Sequence, residues 1–298
     1  MTIKITFFKA GYCIHPEAIL IQGGRWQTST FPALFVLIEH PSYGSILFDT
    51  GYSDRFFQET RRFPFRLYAL TTPVSLQPED SAASQLQKQG IDPAAVQQII
   101  VSHFHADHIG GLRDFPNARF LCFQSAYEAV KHRHGMGALK AGFLAGLLPA
   151  DFEQRATWVE DKHLVPLPAC YAPFEMGFDL LGDRTLLAVE LPGHAIGQLG
   201  LLIADACIGT RPPQSYFLIA DACWLSRAYQ EFITPHPIAN LIFSNKQEYL
   251  TTLKKIHQLH QHNRDLKIIP THCPEAWNQL TQNALLESSL NPIEDPAK

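Results

Sequence analysis

The sequence contains few cysteines, and none of them has the spacing of a thiolate metal site. Its 298 residues include six cysteines, at Cys13, Cys122, Cys170, Cys207, Cys223 and Cys273. None forms a Cys-x-x-Cys pair, which argues against a metal site of the zinc-finger kind. A chain of this length and apolar content also has no need of disulfide staples. We therefore expect reduced cysteines.

Long hydrophobic runs and an excess of positive charge are missing as well. No stretch approaches the roughly eighteen apolar residues of a membrane span, and the start of the chain alternates like a strand, without the apolar core of a signal peptide. The formal net charge is −4, with 24 basic and 28 acidic side chains, whereas nucleic-acid binders normally carry a basic patch. We expect a soluble cytoplasmic protein without a membrane span or a nucleic-acid partner.

The sequence does have enough apolar residues, 46%, to build a large core. Short apolar runs predict strands at 3–8, 33–39, 45–48, 97–101, 119–123, 186–191, 199–204, 216–220 and 266–269. Apolar periodicity and capping residues predict helices at 78–90, 125–132, 246–262 and 274–286, followed by a frayed tail at 291–298. Because no linker divides the chain, we predict a single α+β domain over residues 1–298, with sheets packed face to face and helices outside.

Residues 132–161 differ in composition from the rest of the chain. The stretch 138–148 within them is rich in alanine, glycine, leucine and phenylalanine. We interpret the segment as an inserted helical hairpin or lid. Its large apolar side chains either line a pocket for an acyl or aromatic group or pack the segment onto the body. The residues concerned are Phe143, Leu144, Leu147 and Leu148.

The most informative stretch is the cluster from His103 to His108, which reads His-Phe-His-Ala-Asp-His after the apolar run 99–101. Zinc and similar borderline metals prefer nitrogen and oxygen donors of this kind. A packed core has no use for four such groups side by side, because each buried polar group needs a partner. Positions 103 and 105 also project to the same side of an extended segment, where both can reach one ion. The cluster predicts a metal site.

Three further donors stand where later apolar runs stop. His194 follows Pro192-Gly193, Asp221 follows the run 216–220, and His272 follows the run 266–270. If these strand ends share one edge, their side chains converge on the cluster. Seven donors are too many for one zinc, which usually takes four, so we predict two ions roughly 3.5–4 Å apart with one bridging carboxylate. The expected ligands are His103, His105, Asp107, His108, His194, Asp221 and His272.

The H-x-H-x-D-H motif, with a histidine, an aspartate and a histidine further on, resembles the metallo-β-lactamase superfamily. The resemblance extends from Asp49-Thr50-Gly51 to His272 and implies a four-layer αββα sandwich with the metals at one edge. It implies that Asp49 supports the site without binding metal and that Asp221 bridges the two ions. It also implies a first ion held by His103, His105 and His194, and a second ion held by Asp107, His108 and His272.

Two divalent ions, with Zn²⁺ expected and Fe or Mn as alternatives, make a hydroxide available near neutral pH. We therefore predict a hydrolase in which a metal-bridging hydroxide attacks an ester-like carbonyl and Asp107 moves a proton to the leaving group. Within the superfamily the motif most resembles the N-acyl homoserine lactonases and related lactonases. In those enzymes a tyrosine three residues after the bridging aspartate helps to hold the carbonyl. Trp224 occupies that position here and is the candidate substrate contact.

The expected partner is a small molecule with an apolar acyl or aromatic part, and a homodimer is an open alternative. Thioester hydrolysis of the glyoxalase II type is an alternative reaction, because its metal ligands are of the same kind. A metal-bound sensor or partner-binding protein without turnover is an alternative of another class. A panel of lactone, thioester and phosphodiester substrates offered to the zinc-loaded protein separates these functions.

Overall fold

Strands form the framework of the computed structural model, which describes residues 3–208 and 214–281. The strands are β1 Ile3–Pro16, β2 Thr28–His40, β3 Gly44–Phe48, β4 Val74–Ser75, β5 Gln98–Ile100, β6 Arg119–Cys122, β7 Ala156–Trp158, β8 His163–Pro166, β9 Met176–Asp179, β10 Leu186–Glu190, β11 Leu199–Cys207, β12 Gln214–Ala220 and β13 Lys267–Pro270. The α-helices are α1 Glu17–Leu20, α2 Arg55–Glu59, α3 Arg66–Thr71, α4 Ala82–Lys88, α5 Ala106–Ile109, α6 Gln124–Glu128, α7 Gly135–Lys140, α8 Phe152–Arg155, α9 Ser226–Glu231 and α10 Lys246–His262. Residues 274–281 are also helical.

The strands fall into two groups that meet at a short junction. The first group has the order β7-β6-β5-β3-β2-β1, and the second has the order β11-β10-β9-β8 with β12 and β13 on the other side of β11. Two parallel residue pairs between β1 and β11 join the groups. Strands β3, β5, β6 and β7 are parallel, so their carboxyl ends share one edge. Strands β10, β12 and β13 also run in one direction, because β10 and β12 are each antiparallel to β11.

Strand β2 shows where the core lies. All residues from 31 to 38 are buried, although neighbouring side chains on a strand point to opposite faces. Both faces of β2 are therefore covered, as expected for a strand inside a layered structure. Each fully buried leucine, isoleucine or phenylalanine contributes roughly 1.5–3 kcal/mol. The buried apolar side chains of both strand groups form one contiguous core.

Most predicted elements are present, and the differences lie at their ends. Strands β1 and β2 are longer than predicted, because they pair with each other out to Pro16 and Thr28. The predicted helix 78–90 is divided into a 3₁₀ turn, Pro78–Asp80, and α4, whose first turn is capped by the Ser81 hydroxyl. The predicted helix 274–286 is helical up to residue 281. Its remainder and the tail 291–298 lie outside the described residues.

The segment 132–161 contains α7, α8 and β7, and it ends in a 3₁₀ turn, Val159–Asp161. Its end differs from the expected helical hairpin: Thr157 and Trp158 pair in parallel with β6, as suits a β-branched and an aromatic side chain. Phe143, Leu144 and Leu147 are buried in the core, and Leu148 packs against it. These side chains pack the segment onto the body.

No helix among the described residues combines the length and the apolar content needed to cross a membrane.

Candidate metal centre

The seven predicted ligands meet at the strand ends in two groups, within each of which the candidate donor atoms lie within 4.8 Å of one another. The chain after β5 carries the cluster 103–108, with Asp107 on the first turn of α5. Strands β10, β12 and β13 end shortly before His194, Asp221 and His272. The first group is His103, His105, His194 and Asp221, and the second is Asp107, His108 and His272.

Asp221 lies between the two groups and presents one oxygen to each. Its Oδ2 is 3.3 Å from His194 Nε2 in the first group. Its Oδ1 is 3.3 Å from His108 Nε2 and 3.3 Å from His272 Nε2 in the second group. Two nitrogen donors on one tetrahedral zinc stand about 3.3 Å apart at ordinary Zn–N distances. The spacing of these donors therefore suits ligands that share an ion.

In three of the histidines Nδ1 contacts a neighbouring group, so that Nε2 is the remaining ring nitrogen. His108 Nδ1 lies 2.7 Å from the Asp49 carboxylate, and His272 Nδ1 donates to the Pro32 carbonyl at 2.7 Å. His103 Nδ1 lies 3.0 Å from the Ser102 hydroxyl. Partners of this kind fix the ring and tautomer of metal-binding histidines. Nε2 is thus the ring atom that each of them could offer to an ion, and that of His272 lies 3.1 Å from Asp107 Oδ2.

Several buried polar atoms at the centre lack hydrogen-bond partners among the described residues. They include His103 Nε2 and His194 Nδ1, whereas His108 Nε2 and Asp221 Oδ1 lie 3.3 Å apart without hydrogen-bond geometry. Buried polar atoms are normally satisfied, and an ion is one explanation for a group of unsatisfied ones. Imidazole nitrogens and carboxylate oxygens are donors that borderline divalent metals accept. The residues present therefore fit a divalent metal site.

Burial keeps part of the first group in the form that binds metal. It lowers the pKa of His103 well below its ordinary value, helped by the neighbouring imidazoles of His108 and His105. Burial likewise lowers the pKa of His194 to about 3. Both rings are neutral at physiological pH, and a neutral imidazole offers a lone pair to an ion.

In the second group, the charges of neighbouring carboxylates and imidazoles outweigh the effect of burial on the pKa values. Burial alone lowers the pKa of His108, but Asp49 and Asp107 outweigh it and raise that pKa to about 10. Burial raises the pKa of Asp107, yet His108 and His272 outweigh it and bring the pKa to about 2. His108 therefore carries a proton at neutral pH in the absence of metal, and an ion bound here would replace that proton in balancing the carboxylates.

Trp224, the candidate substrate contact, already uses its only hydrogen-bond donor. Its indole Nε1 donates to Asp221 Oδ2 at 3.0 Å, and an indole has no second polar atom. The ring also lies 5.7 Å, between centroids, from His194. The side chain as placed supports the central carboxylate.

Sequence reasoning missed two neighbours of the ligands. Ser102 donates from its backbone and hydroxyl to Asp49, and its position directly before the motif was the only available signal. Gly142 lies against the ring of His105, where an added Cβ would meet Cδ2 at 2.6 Å. No sequence pattern indicates that contact, because it joins distant parts of the chain.

A cavity of about 230 Å³ opens beside the first group and is lined by His105 and His194. The rings of Phe104 and Phe243 form part of the wall of this cavity. Phe143, Leu144 and Leu147 are not among its lining residues, in keeping with their burial in the core. A substrate in this cavity would contact the first ligand group directly.

Comparison with the sequences of known proteins also supports a metal-dependent enzyme. A model of the metallo-beta-lactamase superfamily matches residues 29–199. N-acyl homoserine lactonase AttM of Rhizobium radiobacter is 26% identical over 265 residues, which cover 87% of this chain and 88% of the relative. A probable metallo-hydrolase of Mycobacterium tuberculosis is 27% identical over 254 residues, covering 81% and 75% of the two chains.

A solved structure shares the fold across nearly the whole chain. It is described as an N-acyl homoserine lactone hydrolase with the product N-hexanoyl-L-homoserine bound at the catalytic metal center. It superposes with a TM-score of 0.68 at 19% identity and covers 94% of this chain and 97% of that one. The predicted α+β fold, an αββα sandwich, is confirmed, as is the prediction of a metal-dependent hydrolase. This chain belongs to the metallo-β-lactamase superfamily.

Proposed function

We propose that this chain is a dinuclear metal-dependent hydrolase that opens a lactone or cleaves a related ester. The observation that carries the proposal is the position of Asp221, whose two oxygens face two separate groups of donors at 3.3 Å. A single-ion site has no need of a carboxylate so placed. The similarity to proteins named N-acyl homoserine lactonases supports an ester-like substrate.

Under this proposal Asp221 contacts both ions, and each ion has three further ligands. The two clusters of donor atoms support this division. Zn²⁺ is the ion we expect, because imidazole and carboxylate together suit it. His103, His105 and His194 would hold the first ion, and Asp107, His108 and His272 would hold the second.

When bound, two such ions supply a hydroxide nucleophile near neutral pH and polarise the carbonyl under attack. The chain itself orients the ligands and handles the proton. Asp107 keeps 11% of its side chain exposed, and its pKa is held at about 2, because His108 and His272 outweigh the effect of burial. It is ionised at neutral pH, so its carboxylate would accept the proton of the hydroxyl that has added to the carbonyl carbon and pass it to the alkoxide that leaves as the carbon–oxygen bond breaks.

Trp224 acts in this scheme through Asp221. Its indole N–H is directed at Asp221 Oδ2, so the substrate carbonyl relies on other groups. The position that carries a tyrosine in the resembling lactonases would here fix the shared carboxylate. We infer that Trp224 is a positioning residue.

The test loads the protein with zinc, measures metal per chain and offers three substrates. They are N-hexanoyl homoserine lactone, S-lactoylglutathione and bis(4-nitrophenyl) phosphate. We expect two ions per chain and hydrolysis of the lactone. Preferential cleavage of the thioester would transfer the proposal to the glyoxalase II class, and no hydrolysis with two ions bound would overturn it.

Replacing Asp107 by Ala tests the role of that carboxylate. We expect kcat to fall by at least about 100-fold, a size typical for loss of a proton-transfer group, and the second ion to bind more weakly. The measurement pairs steady-state kinetics with metal content. Full activity with one ion per chain would contradict the dinuclear scheme.

A further inference from the structure

The cavity beside the first ligand group has a charge pattern that a neutral lactone does not explain. Besides His105 and His194 it is lined by Arg133 and Lys140, and no aspartate or glutamate is among its lining residues. The rest of its wall is mainly apolar and includes Ile242. The cavity thus combines an apolar wall with two cations next to the proposed metal centre.

Neither cation has a carboxylate partner among the described residues. Arg133 donates from Nε to the Ala129 carbonyl at 2.6 Å, which leaves both Nη groups of the guanidinium free for another ligand. Lys131, close by in sequence, is different: its Nζ is 2.7 Å from Glu128. Lys131 does not line the cavity. Arg133 and Lys140 thus line the cavity without a carboxylate partner among the described residues.

Arg133 and Lys140 belong to one segment of the chain, and both line the same cavity. Arg133 precedes α7, and Lys140 is its last residue. The opposite wall comes from the loops around Ile196 and Ile242. The whole chain carries a formal net charge of −4, so this local positive charge runs against the average. Local charge of one sign in a cleft attracts ligands of the other sign.

We propose that the cavity recognises a carboxylate on the substrate, so that the natural substrate is an anionic ester or lactone with a short apolar arm. This inference rests on the proposed function, because it places the ester group at the metal centre. Arg133 binds a carboxylate through its planar, forked donors, and Lys140 adds a point charge. The cavity, about 230 Å³, is smaller than the roughly 300–1,000 Å³ typical of sites for drug-sized ligands, which favours a short arm.

The binding experiment uses two amides of equal chain length, which an esterase is not expected to cleave. One is the mono-4-nitroanilide of glutaric acid, which carries a carboxylate, and the other is the neutral 4-nitroanilide of pentanoic acid. Dissociation constants are measured by calorimetry on the zinc-loaded protein. Arg133 and Lys140 are both exposed, so we expect the anionic probe to bind about tenfold more tightly through two charge-assisted contacts and the preference to shrink in 0.5 M NaCl.

Variants decide whether the two cations cause the preference. In the double variant Arg133→Gln/Lys140→Gln we expect the ratio of the two dissociation constants to approach one. Lys131→Gln, which removes a nearby cation outside the cavity, serves as the matched control and should keep the ratio. Equal binding of both probes, no binding of either, or a preference that survives in the double variant would overturn the proposal. The last result would place the carboxylate on the metal ions.

Kinetics separate this inference from the proposed function. The corresponding esters are mono-4-nitrophenyl glutarate and 4-nitrophenyl pentanoate. We expect both to be hydrolysed, with a KM about tenfold lower for the anionic ester. Hydrolysis of both with equal KM leaves the function standing and refutes anion recognition. If neither is hydrolysed with two ions bound, the ester function fails, and the calorimetric ratio still decides the role of the cavity.

Discussion

At the scale of single residues, the centre depends on groups that hold the ligands as much as on the ligands. Asp49 is fully buried and accepts hydrogen bonds from the Ser102 backbone and hydroxyl. Its carboxylate also lies 2.7 Å from His108 Nδ1. Asp49 thus contacts both Ser102, which directly precedes the cluster 103–108, and His108 within it. Such partners set the ring orientation and the basicity of the histidine.

Replacing Asp49 by Asn should weaken the second metal site, because the amide removes the negative charge that orients His108. We expect zinc affinity there to fall by about 10–100-fold, as is typical for changes to such partners. Chelator competition measures it, with circular dichroism to show that the variant folds. Asp54→Asn, a change at a surface residue that contacts Gln58, is the control. Unchanged zinc affinity in the Asp49 variant would contradict this role.

Trp224→Phe removes the hydrogen bond to Asp221 and keeps an aromatic ring. Losing a hydrogen bond to a charged group costs roughly 1.5–3 kcal/mol, so we expect kcat to fall by about tenfold or more with little change in KM. Steady-state kinetics on N-hexanoyl homoserine lactone measure the two constants. A raised KM with unchanged kcat would instead assign Trp224 to substrate binding.

At the scale of elements, the segment 132–161 forms part of the wall of the site. Its helix α7 is followed by Gly142, which has φ +59° and lies against His105. A side chain at this position meets both the strain of a left-handed backbone and the imidazole ring. The close approach of the segment to the first ligand group therefore depends on this glycine.

Gly142→Ala should displace His105 and weaken the first metal site, with a stability loss of about 1 kcal/mol or more from the backbone alone. The measurement is zinc stoichiometry by titration, and we expect one of the two ions to bind much more weakly. Gly137→Ala is a matched control in the same segment, since an added Cβ there meets nothing within 4 Å. Two equally tight ions in the Gly142 variant would show that the contact has no consequence.

Local patterns predicted most of the elements and pointed to seven donor residues that the fold brings together, and they missed what tertiary contacts decide. Alternation and apolar runs located the strands before Asp221 and His272, because the buried parts of strands are continuous in sequence. They did not predict that β1 extends to Pro16, since its partly buried end is stabilised by pairing with β2. The partner of Trp224 was also unpredictable, because spacing alone does not say which way an indole points.

At the scale of the whole molecule, the candidate metal centre combines residues from the two strand groups. The cluster 103–108 follows β5 in the first group, whereas Asp221 and His272 follow strands of the second group. Ions shared between these residues would tie the two halves of the fold together. Binding of a ligand to the folded state alone stabilises it by mass action.

Removal of metal should therefore lower the unfolding temperature. At free zinc about 1,000 times its dissociation constant, each ion stabilises the fold by about 4 kcal/mol. For a chain of this size we expect a decrease of about 10 °C or more on treatment with EDTA. Differential scanning calorimetry of the zinc-loaded and chelated protein measures it, with zinc added back as the control. Identical unfolding temperatures would show that the two strand groups are held together without metal.

The proposed function depends most on the sharing of Asp221 by two ions. A crystal structure of the zinc-loaded protein with anomalous scattering at the zinc edge tests it directly. We predict two peaks per chain, one in each donor group, with one Asp221 oxygen at about 2.0–2.2 Å from each ion. A single peak, or two peaks of which only one contacts Asp221, would contradict it.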